Sequence, residues 1–227
     1  MRKNIIYDYV IPLGERCATT QTLKHYNLRP RGQKLPFDWL ANNNLTSYTD
    51  CILNNFDDFL SPERLRKIEY TEPRKWKEWH FYDIKTKFCF LHDFPKDLPF
   101  DDGFIVVLEK YIPKINLMRK IMESGENILL VHMSSKNISS RTIKKTLHAI
   151  RTRFNNKNID MLVICNGIKT LHRLHHTRIM CGAIKYKTRK NLMAEYWIDT
   201  TPEQFKFLDK IFKKISVKSK TYEINPS

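Results

Sequence analysis

Short apolar runs that alternate with longer stretches of helical periodicity constrain this chain more than any other feature of its sequence. Tyr7 to Leu13, Phe88 to Leu91, Ile128 to Val131 and Met161 to Cys165 are too short for helices. They are also too continuous for strands with one wet face, so they read as strands buried on both sides. Between them the period changes. Thr19 to Tyr26 reads as a short helix. Asn43 to Leu60 carries Leu45, Tyr48, Ile52 and Phe56 at helical spacing. After Gly103 a longer stripe runs through Val107, Leu108, Tyr111, Ile115, Met118 and Ile121 or Met122. Ser140 caps a helix with Ile143, Leu147, Ile150 and Phe154 on one face. Ile179 to Ile184 and Leu192 to Ile198 read as two more strands. Thr201-Pro202-Glu203-Gln204 is a capping box that opens a last helix burying Leu208, Ile211, Phe212 and Ile215, with a frayed tail from Ser216. Thr71 to Lys87 fits neither period. The alternation predicts an α/β fold, a mostly parallel sheet flanked by helices. With neither repeat nor linker, residues 1–227 read as one domain.

Charge narrows the class of partner. The formal net charge is +16, and from Arg141 to the end 19 Lys and Arg face 6 Asp and Glu. A basic C-terminal region from about residue 140 would attract an anionic partner, whether phosphorylated, an acidic glycan or nucleic acid. No nucleic-acid-binding motif accompanies it. No run approaches the ~20 apolar residues of a membrane span, and the N-terminal run is interrupted by Asp8, too short for a signal core. The five cysteines, at 17, 51, 89, 165 and 181, are odd in number and include no CxxC pair. They suggest neither a disulfide framework nor a zinc site, and they place the chain in a reducing, cytoplasmic compartment. No cofactor or metal is expected.

The chemistry points to Cys17. In open α/β sheets, sites form outside the carboxyl ends of strands. The first strand ends at Gly14, and Cys17 follows at a helix start beside Arg16. Unpaired N–H groups and the positive end of the helix dipole stabilise a thiolate there, and the same N–H groups can hold an oxyanion. The other four thiols sit in apolar runs and read as core. A thiolate nucleophile wants an imidazole. His92 and His132 each follow a buried run. His25 lies too far along the first helix, and His172, His175 and His176 have no carboxylate near them and read as surface residues.

Four motifs occur in order: Leu13-Gly14-Glu15-Arg16-Cys17-Ala18-Thr19, Pro36-Phe37-Asp38-Trp39, Asn55-Phe56-Asp57-Asp58-Phe59-Leu60 and His92-Asp93-Phe94. Over about residues 7 to 170 this order resembles the papain-like cysteine peptidase family of otherwise uncharacterised proteins. The resemblance implies Cys17 as nucleophile, His92 as base and Asp38 or Asp93 as the acid that orients the imidazole. It also implies an α+β, papain-like alternative for the fold, in which the thiol starts a helix and the histidine lies on a separate antiparallel sheet. Members carry Val-Arg where this chain has Val131-His132, so His132 is expected at the rim of the site. Asp38 is the better third group if the strand continues through Asp93, because neighbouring strand residues point to opposite faces. Phe37 and Trp39 are expected in the core. Three functions compete: a thiol-dependent hydrolase, a thiol-dependent acyltransferase on a glycan or small molecule, and a non-enzymatic module for an anionic partner.

Overall fold

Asp8 splits the first apolar run in two. In the computed structural model, which describes residues 5–29, 32–70, 77–134, 136–165, 172–173, 179–182 and 208–218, Ile5–Tyr7 forms β1 and Tyr9–Pro12 forms β2. The buried Asp8 carboxylate between them accepts both N–H groups of Asn127 at 3.1 Å and pairs with Lys218 at 2.8 Å. The chain then builds α1 (Arg16–His25), α2 (Leu45–Leu53), β3 (Leu65–Lys67), β4 (Glu78–Asp83) and β5 (Cys89–Pro95). α3 (Phe100–Glu123), β6 (Ile128–Ser134), α4 (Ser140–Arg153), β7 (Ile159–Cys165), β8 (His172–Arg173), β9 (Ile179–Gly182) and β10 (Ile215–Val217) follow.

The central sheet has the order β2-β6-β7-β9-β8, parallel except for β8. β1 pairs in parallel with β10. β6 shows why both faces must be covered. Ile128 and Leu130 join Tyr48 and Ile52 of α2, Val107, Tyr111 and Met118 of α3, and Ile143, Leu147 and Ile150 of α4 in one core. Leu129, Val131 and Met133 point the other way, onto Leu23 of α1, Leu28, and Leu208, Ile211 and Phe212 of a helical segment at 208–212. The α/β class expected from the alternating periods is therefore the one observed. A second sheet, β3-β4-β5, is antiparallel and packs Phe81, Phe90 and Phe94 into the first of these cores. The expectation of a mostly parallel sheet missed it because its middle strand lies within the stretch that fits neither period.

Several boundaries differ from the expected ones. α2 ends at Leu53 because Asn55 and Phe56 both take positive φ, 53° and 62°. That conformation costs a phenylalanine energy, and the buried ring offsets it by stacking on Phe37 at 5.5 Å. α4 is capped by Ser139, whose Oγ accepts the Thr142 N–H at 3.1 Å, rather than by Ser140. Ile215 leaves the last helix for β10, so Ser216 and Val217 are paired with β1 and do not fray. Leu192 to Ile198 and the capping box at Thr201 lie outside the described residues, as do His175 and His176; His172 falls in β8.

Candidate functional site

The turn after β2 is built around a glycine. Leu13 N–H donates to Val131 O at 2.7 Å and Glu15 N–H to Met133 O at 2.9 Å, so the chain follows the carboxyl end of β6 before turning into α1. A Cβ on Gly14 would lie 1.8 Å from Thr19 Oγ1 and 3.0 Å from Met133 N, which leaves room only for glycine. Cys17 is thereby carried in the first turn of α1, half-buried, at the carboxyl edge of the sheet. The Arg16 side chain lies outside what the structure describes. Of the other thiols, Cys51 is core, and burial pushes its pKa well above the ordinary thiol value. Cys89 is half-buried rather than core, and the side chains of Cys165 and Cys181 lie outside the described residues.

The Pro36–Trp39 turn is bolted to the helix that carries Cys17. Asp38 Oδ2 accepts the Leu35 N–H at 2.8 Å and pairs with Arg29 at 2.9 Å, both groups buried. Thr20, one helical turn after Cys17, donates its hydroxyl toward Asp38 O at 3.0 Å and Oδ1 at 3.3 Å. Phe37 is buried against Tyr48, Phe56 and Phe88, with ring centroids 5.1, 5.5 and 5.7 Å away. Trp39 is only half-buried, against the expectation of a core position. Lys24 of α1 lies over its ring at 5.2 Å, and its edge meets the His92 ring at 6.2 Å.

His92 was expected at the carboxyl end of a short strand. It lies instead inside β5, on the antiparallel sheet. The strand is longer than its apolar run because it contains a bulge. Phe90 pairs with Phe81 and Phe94 with Trp79, so Leu91, His92 and Asp93 together oppose His80 alone. Bulges re-aim side chains, and this one turns His92 outward while Asp93 stays buried. Asp93 accepts from Lys110 Nζ at 2.7 Å and from Tyr111 OH at 3.1 Å, and Lys110 also reaches His92 O at 3.3 Å.

His132 corrects another expectation: it does not lie at a rim. β6 continues through it to Ser134, and its side chain is fully buried on the α2 face, 5.8 Å from the Tyr48 ring, whereas α1 packs on the opposite face. Its Nδ1 is hydrogen-bonded to the Leu13 carbonyl, which can only accept, so the proton resides on Nδ1. Nε2 has no partner among the described residues. Burial pushes the pKa down to about 4, so the ring is neutral at physiological pH.

The four motifs thus converge: the Cys17 turn, the Asp38 turn bound to its helix, the aromatic core of Phe56 and Phe59, and the His92 bulge beside Trp39. A thiol at a helix start with an imidazole on a separate antiparallel sheet is the layout of a thiol hydrolase class. Residues 8–166 match the family model "Putative papain-like cysteine peptidase (DUF1796)", and the chain belongs to that family. It is also 24% identical over 170 residues to "Uncharacterized protein R408" of Acanthamoeba polyphaga mimivirus, covering 68% of this chain and 75% of that protein. No solved structure matches. No helix among the described residues is long and apolar enough to cross a membrane. Sequence reasoning missed the bulge and the grip of Lys110 and Tyr111 on Asp93. The adjacent His92-Asp93 pair inside an otherwise apolar strand was the available signal.

Proposed function

We propose that this chain is a thiol-dependent hydrolase in which Cys17 is the nucleophile and His92 the base. The observation that carries the reading is the Pro36–Trp39 turn, which touches α1 through Thr20 and Lys24 and touches His92 through Trp39. In this scheme His92 takes the Cys17 proton, the thiolate attacks a substrate carbonyl, and N–H groups at the start of α1 receive the oxyanion. The imidazolium returns the proton to the leaving group, and water, deprotonated by His92, releases the acyl group from sulfur. Asp38 is a positioning residue, because its oxygens are occupied by Arg29, Leu35 and Thr20 and they hold the turn against α1. His132 is a poor base here: it is buried and lies on the sheet face opposite α1. Such a thiol suits a reducing, cytoplasmic compartment, and the basic region from about residue 140 suits an acidic partner. The test is turnover of p-nitrophenyl acetate with Cys17→Ser as control. A burst of acyl-enzyme that vanishes in the variant supports the scheme, and equal rates for both proteins contradict it.

A further inference from the structure

One cation behind the His92 bulge lacks a counter-ion. Lys114 of α3 is 8% exposed and makes neither a hydrogen bond nor an ion pair; its ammonium lies over the Tyr111 ring at 4.2 Å. Buried ammonium groups are ordinarily paired, since desolvation without a partner costs several kcal/mol. The charges that act on Lys114 are those of Asp93, Lys110, Asp38 and Lys34. Both carboxylates are already engaged, Asp93 by Lys110 and Tyr111, Asp38 by Arg29, Leu35 and Thr20. Counting Arg29, four cations surround two acids, and the surplus is positive. Lys110 spends two of its three N–H donors on Asp93 and the His92 carbonyl, which fixes its position and leaves one to give.

We propose that Lys114, with Lys110 and Lys34, forms a seat for a small oxyanion, the carboxylate or phosphate of a substrate, beside His92. Its role as a substrate subsite rests on the thiol-hydrolase reading above; its ability to bind an oxyanion does not. An oxyanion there gives Lys114 the charge-assisted hydrogen bonds it lacks, and the neighbouring Tyr111 ring supports the ammonium from the other side. The seat would anchor a substrate by its charged end and present a nearby carbonyl to the thiol.

The experiment is calorimetric titration of the full chain with inorganic phosphate and, separately, with acetate, at constant ionic strength set by chloride. The proposal predicts saturable binding of at least one of the two, and the tighter one names the group. Lys114→Met should weaken it by at least about tenfold, the loss of one charge-assisted hydrogen bond. Lys114→Arg and Cys17→Ser should retain it. If Lys114→Met does not fold, the exposed Lys34→Gln serves instead and should weaken binding several-fold. Titrations that do not saturate, or that are the same in wild type and in the folded Lys114→Met or Lys34→Gln variant, would overturn the seat. An intact acyl burst in those proteins would then leave the thiol reading standing; loss of the burst with phosphate binding intact would do the reverse.

Discussion

The buried imidazole of His132 should make the protein acid-labile in a calculable way. In the folded chain it titrates near pH 4, whereas an unfolded histidine titrates near 6.5. Below 6.5 the unfolded chain takes up a proton that the native chain refuses, so stability falls as pH falls. The loss runs at about 1.4 kcal/mol per pH unit until the native ring also protonates near pH 4, a total of about 3 kcal/mol. His132→Gln supplies the control, because its amide can still donate to the Leu13 carbonyl but does not titrate. Urea denaturation of both proteins from pH 7.5 to 4 gives the stability difference at each pH, and the carboxylates common to both cancel. That difference should shift by about 3 kcal/mol against the wild type, most of it between pH 6.5 and 4. Parallel curves for the two proteins would refute the claim that the ring is buried and neutral.

Two further outcomes test how the site is supported. Phe37→Ala should lower unfolding stability by about 3–5 kcal/mol, since the buried ring contacts three other aromatics; a midpoint within error of wild type would show that the Pro36–Trp39 turn is not anchored there. Gly14→Ala should cost about 1–3 kcal/mol through the overlap with Thr19 Oγ1. Adding Thr19→Ala should recover part of that loss, and strictly additive effects in the double variant would exclude the overlap as its cause.

How much of this was legible follows from what each feature depends on. The Cys17 turn was readable because a strand, a glycine and a helix start are all local signals, and Gly14 proves indispensable for a local reason, its contact with Thr19. The aromatic anchors were readable as apolar residues at helical or strand spacing. The bulge at Leu91–Asp93 was not, because a bulge is a property of two strands in register, and its partner β4 carries Trp79, His80 and Tyr82 in no clear alternation. The depth of His132 was hidden for a similar reason: a polar residue ended the apolar run on paper, while the Leu13 carbonyl and the pairing with Val163 continue the strand in space. The pairing of the tail with β1 joins residues over 200 positions apart, which no local pattern records.

The pairing of Cys17 with His92 is tested most directly by the pH dependence of thiol alkylation. Iodoacetamide labelling, mapped by mass spectrometry, should modify Cys17 first and leave buried Cys51 untouched. In wild type its apparent pKa should fall below the ordinary value of about 8.5, because an imidazolium and a helix start both favour the thiolate. His92→Ala should raise the pH at which Cys17 reacts, while His132→Gln should leave it unchanged. A Cys17 profile that ignores His92→Ala, or that moves with His132→Gln instead, would contradict the account.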